Sequence, residues 1–71
     1  MKRVQTDTLL LKSKMVLKGV TIKVLSKELG ISEQTGCKKV NGLVEWTQSE
    51  IAVIMMFLQL SLEETKLIFL L

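Results

Sequence analysis

The chain has 71 residues, 48% of them hydrophobic and 4% aromatic, with a net charge of +3, one cysteine and no histidine. A chain this short forms one domain that buries only ~60% of its unfolded surface, and a lone Cys37 without histidine provides neither an internal disulfide nor the usual nitrogen and sulfur metal ligands. The same counts argue against an enzyme, because the single aspartate, Asp7, has no histidine to work with and the isolated glycines form no phosphate-cradling loop.

Charge divides the chain. Residues 1–42 hold nine basic residues, Lys2 and Arg3 among them, against three acidic ones, a net of +6; residues 43–71 hold four glutamates against Lys66, a net of -3. The first part suits a polyanion and the second does not. The longest apolar run, Ile51 to Leu58, is eight residues, short of the roughly 18 that a membrane span requires. The basic start, Met1-Lys2-Arg3, leads only into the short Leu9-Leu10-Leu11 run, with no small-residue cleavage site. A cytoplasmic protein without a membrane partner is expected.

Punctuation and apolar spacing predict five helices and no strand, an all-α fold in a single domain spanning residues 1–71. The first covers roughly 7–18, with Leu11 and Met15 on one face and Gly19 after its end. The second, 22–29, starts behind the hydroxyl of Thr21, carries Leu25 and Leu29 inward, and stops at Gly30. The third, 33–41, is opened by Ser32 and closed by Asn41-Gly42. The fourth, 48–58, follows a capping box, Thr47-Gln48-Ser49-Glu50, and is apolar all round. Such a helix is expected to be enclosed at the centre, with one side turned to a second subunit. The fifth, 62–70, follows another capping box, Ser61-Leu62-Glu63-Glu64, and ends Leu67-Ile68-Phe69-Leu70-Leu71. That ending is more apolar than one side of a monomer can hide, which predicts a two-fold homodimer joined through residues 62–71, with Leu67, Phe69 and Leu70 at the contact.

Residues 21–42 read as a helix-turn-helix. The motif needs a helix that ends on a left-handed residue, an apolar turn residue, and a new helix begun by a capping hydroxyl; Gly30, Ile31 and Ser32 supply these in order. Steeply crossed helices also need a small residue at their contact, and Ser26 stands four residues before the glycine.

In these features the chain resembles the lambda-repressor-like family, which includes Cro, the phage repressors and the XRE-type regulators. The matches are Thr21 with Leu25-Ser26 through Leu29-Gly30-Ile31-Ser32, then Gln34-Thr35 and Val40-Asn41-Gly42, Thr47 with Glu50, and Leu60-Ser61-Leu62-Glu63-Glu64; they cover nearly the whole chain. The chain departs from the family at Ile22, where members often carry a phosphate-touching glutamine, and at Gly36 and Lys39, where they carry branched apolar residues. Docking of the third helix is therefore expected to rest on Val40, with Gly36 costing ~1 kcal/mol relative to alanine.

The resemblance implies a compact five-helix DNA-binding domain acting as a transcriptional repressor of phage or prophage type, which reads a palindromic operator as a dimer; since the chain lacks the residues that ligand sensing would need, no cofactor and no small-molecule ligand are expected. It lays the segment from Ser32 to Asn41 in the major groove. Side-chain chemistry then assigns base contacts to Gln34 (adenine), Lys38 (guanine), Thr35 (a base or a thymine methyl) and Glu33 (cytosine N4). Thr21, Lys23, Ser32, Lys39 and Asn41 are the expected phosphate contacts. Two plainer readings stand beside these: Gln34 and Lys38 as solvated residues of a protein-interaction module, an antirepressor or inhibitor on the same fold, and Cys37 as an inert thiol.

Overall fold

Five helices succeed one another in the computed structural model, which describes residues 6–70: α1 (Thr8–Leu17), α2 (Ile22–Leu29), α3 (Glu33–Val40), α4 (Gln48–Phe57) and α5 (Leu62–Phe69). The described residues contain no strand. Lys2 and Arg3 of the charge reading and Leu71 of the apolar tail lie outside the described residues.

Local chemistry sets where each helix begins. Thr21 Oγ1 accepts from the Val24 amide at 3.2 Å and Ser32 Oγ from the Thr35 amide at 3.1 Å. Both expected capping boxes close, with the Thr47 amide donating to Glu50 Oε1 and the Ser61 amide to Glu64 Oε1, each at 2.9 Å. Asp7 caps α1 by accepting from the Leu10 amide at 3.0 Å. Caps of this kind stabilise by about 1 kcal/mol each relative to alanine. Gly30 ends α2 at φ 73°, ψ 27°, a conformation that a side chain would strain.

One core gathers Leu11 and Met15 of α1, Leu25 of α2, Val40 of α3, Ile51 and Ile54 of α4, and Ile68 and Phe69 of α5, closed by Trp46, Leu58 and Leu60 from the connections. α2 packs against α3 and α4, and α5 against α4 and α1. The last two run antiparallel: the Asp7 amide donates to the Ile68 carbonyl at 2.6 Å and, toward the other end, Lys14 Nζ meets Glu64 Oε2 at 2.6 Å.

Two expectations are corrected. Phe69 is not a dimer contact: it is fully buried and meets Trp46 edge-on, with ring centroids 6.3 Å apart. Thr65, Ile68 and Phe69 recur at three and four residues and so form the inward side of α5, leaving Leu67 and Leu70 outside. Nor is α4 enclosed. Ile51 and Ile54 face the core, while Ala52 and Met56 stay exposed. No helix among the described residues is long and apolar enough to cross a membrane.

The most extensive helix pairing is between α2 and α3. Ser26 and Gly36 are both buried, and a methyl group added at Gly36 would overlap the Ser26 hydroxyl and come within 3.0 Å of its Cβ. Gly36 is thus the residue that lets the α3 backbone seat against the Ser26 side chain, which offsets its poor helix propensity. The Ser26 hydroxyl is buried there without a hydrogen-bond partner. Gly36→Val is expected to lower stability by about 1 to 3 kcal/mol through overpacking. Ser26→Ala is expected to raise it by about 1 kcal/mol by removing an unsatisfied hydroxyl. Urea titration of the two variants checks both signs.

Two carboxylates tie the fold to pH. The Lys14 ammonium, together with the Ser61 amide, holds Glu64 down to about 2 from the ordinary 4.5. Burial pushes Glu50 up, but the hydrogen bonds from Lys39 and Thr47 outweigh it and its pKa is lowered. A carboxyl whose folded pKa lies below its unfolded one contributes stability that is complete above the unfolded value and lost as the pH falls through the folded value. The Glu64 contribution is therefore expected to disappear between pH 4.5 and about 2. Thermal melts should show Glu64→Gln with a lower Tm than the parent at neutral pH and a shallower fall across that acid window; parallel curves would remove Glu64 from this role.

Candidate nucleic-acid interface

A three-residue turn, Gly30 to Ser32, carries the chain from α2 into α3, and the two helices pack directly on each other. The packed side of α3 consists of Gly36, Lys39 and Val40, all buried, with Thr35 half-buried. The opposite side presents Glu33, Gln34, Cys37 and Lys38, all exposed, and continues to the exposed Asn41 that follows the helix. These positions recur at three and four residues and so form one row. The row offers an amide, an ammonium, a carboxylate and a thiol, and no large apolar group.

Most of the expected contact residues are accessible. Thr21 and Lys23 are exposed at the start of α2, and Ser32 at the start of α3. Thr35 is less free than its neighbours, because its Oγ1 accepts from Ser32 Oγ at 2.9 Å within the cap.

Lys39 is not available to phosphate, contrary to expectation. Its side chain is 10% exposed and its ammonium contacts both carboxylate oxygens of Glu50, at 2.6 and 2.7 Å. The ammonium also lies 5.7 Å from the centre of the Trp46 ring, within cation–π range. Burial next to a carboxylate holds the charge inside, so the cation that α3 presents is Lys38. Asn41 is exposed but engaged: its Oδ1 accepts from Lys12 Nζ at 2.7 Å and its Nδ2 donates to the Cys37 carbonyl at 2.9 Å.

Two residues join the site that sequence reasoning left out. Cys37 is exposed on the outward row, where its spacing from Gln34 would have placed it. Lys12 of α1 reaches the end of α3 through Asn41, across 29 positions of the chain, and nothing local signals that pairing. Among the described residues, no group of three or more cysteine, aspartate or glutamate side chains could hold a metal ion.

Among the described residues, ten large hydrophobic ones are exposed, and six of these lie on the adjacent α1 and α5 or just past the end of α5: Leu9, Val16, Leu17, Leu62, Leu67 and Leu70. Compared with protein-family models and with curated protein sequences, the chain finds no match in either.

Proposed function

We propose that the chain is a sequence-specific double-stranded DNA-binding regulator, a Cro-like repressor that occupies a palindromic operator as a homodimer. The observation that carries this reading is the outward row of α3, polar and accessible, held away from the core by a close helix crossing behind it. The major groove admits an α-helix carrying such a row. Gln34 can pair with adenine through two hydrogen bonds, Lys38 can reach guanine O6 and N7, and Glu33 can accept from cytosine N4. Thr21, Lys23 and Ser32 fall at helix N-termini, where amides and hydroxyls meet phosphates, and Lys12 adds a cation at the C-terminal end of α3. Cys37, between Gln34 and Lys38, suits a thymine methyl.

Leu9, Val16, Leu17, Leu62, Leu67 and Leu70, exposed on two helices that pack together, support the dimer, since large apolar side chains left in solvent on neighbouring elements suit association. Two copies joined there would set two α3 rows about one DNA turn apart, ~34 Å, on a palindrome. Occupying the site is then enough to block polymerase, with no cofactor and no small ligand.

A second reading, a protein-interaction module, is favoured by two observations. With Lys39 withdrawn, Glu33 offsets the charge of Lys38 on the row, and the apolar Leu43 and Val44 are exposed just after α3.

Selection of bound duplexes from a random pool, followed by binding at several salt concentrations, separates the two. The regulator reading predicts enrichment of a two-fold site and a log-log salt slope of about -5 to -9, for about six to ten phosphate contacts. Gln34→Ala should lose ~1 to 3 kcal/mol on the selected site and little on random duplex. A flat salt response or an unenriched pool would contradict the regulator and favour the interaction module.

A further inference from the structure

We propose that the Lys39–Glu50 ion pair, lidded by Trp46, is the positioning device of the α3 row: it sets the rotation of α3 about its own axis and thereby the aim of Gln34 and Lys38 at base edges. The inference rests on the DNA-binding reading above and goes beyond it, because it assigns sequence discrimination to a residue that does not touch DNA.

Among the described residues, α3 makes no helix-packing contact with α4 or α5. The helix is eight residues long, and its one buried apolar side chain is Val40. Gly36 contributes close approach to Ser26 but no side chain. α3 packs on α2 and, less extensively, on α1, whose Lys12 meets Asn41 just past the helix, but neither contact ties it to α4 or α5, and at 100° per residue a small roll moves every outward side chain together. Lys39 supplies the third point. It shares the packed side with Gly36 and Val40, at three residues from one and next to the other, and its long side chain reaches α4, against which α3 does not pack closely.

The receiving end is rigid. Glu50 takes the Lys39 ammonium on both oxygens while Oε1 also accepts from the Thr47 amide at 2.9 Å, so the same carboxylate closes the cap of α4 and the bridge to α3. The Trp46 ring beside the ammonium is itself packed edge-on against Phe69. α3 is thus tied through one cation to the N-terminus of α4 and, through the indole, to α5. A buried ion pair is seldom the most stable choice for such a place, and apolar pairs of the same volume often do as well. Directional, two-oxygen contact is what the apolar alternative lacks, and direction is what a reading helix needs.

The test uses the full chain, its selected operator and a random duplex, at a temperature where circular dichroism shows every variant folded. Lys39→Met is expected to weaken operator binding about tenfold, the scale of one misaligned base pair contact, while random-duplex affinity and the salt slope stay at the parent values. Lys39→Arg, which keeps a two-oxygen contact, should recover most of the loss. If Lys39→Met does not fold, Lys39→Met with Glu50→Gln carries the test, since it removes both charges and keeps a capping-box side chain; it should fold and still discriminate poorly. Trp46, the chain's single tryptophan, gives a readout free of DNA: its emission should shift in Lys39→Met.

Equal losses on both duplexes with a salt slope shallower by about one would make Lys39 a phosphate contact and overturn the proposal. Undiminished operator preference in Lys39→Met, or in the double variant, would overturn it as well, leaving the pair a purely structural contact. A Trp46 shift in Lys39→Met with no preference among duplexes in the parent protein would overturn the DNA-binding reading, and the positioning role with it.

Discussion

The contact between Ser26 and Gly36 governs the rest of the structure. Because Gly36 has no side chain, the α3 backbone seats directly against the small Ser26 side chain of α2. That approach turns Gly36, Lys39 and Val40 toward the protein, and the opposite row of α3 outward. A side chain at position 36 would lift α3 off α2, and the outward row would tilt with it. The glycine also costs the helix some intrinsic stability, so α3 depends on tertiary contacts at its other end.

Those contacts are unusually polar for so small a core. Lys39 and Glu50 lie almost out of solvent, and the Ser26 hydroxyl and the Trp46 indole nitrogen are buried without hydrogen-bond partners. Each unsatisfied group costs on the order of 1 to 3 kcal/mol. A chain selected for stability alone would replace several of these groups with aliphatic ones. Their grouping around α3 and the start of α4 fits a fold that spends stability on orienting one short helix. The same economy is visible on the other side, where leucines of α1 and α5 remain in solvent and await a second copy in the proposed dimer.

Much of this was legible in the sequence, and what was not has physical causes. The helix starts at Thr21, Ser32, Thr47 and Ser61 follow from interactions spanning three residues, and Gly30 and Ser26 were recognisable from the needs of a tight turn and a steep crossing. Lys39 was misplaced because an ammonium is ordinarily a surface group and its partner lies 11 residues on, in another helix. Phe69 was misplaced because composition marks the tail as apolar without saying which side faces in; the inward side follows Thr65 and Ile68, a phase that only packing fixes. The openness of α4 escaped because the helix itself has no polar face, and enclosure depends on how many neighbours the chain can supply. Cys37 could have been placed by helical spacing, whereas the Lys12–Asn41 link could not.

The central claim is that the outward row of α3 is the surface that meets DNA. Backbone amide NMR shifts, recorded while a duplex carrying the selected site is added, test it most directly. The account predicts the largest changes at Glu33, Gln34, Cys37 and Lys38, with smaller ones at Thr21 and Lys23 and little at Phe69. Changes concentrated on the exposed leucines of α1 and α5, with the α3 row unmoved, would contradict it.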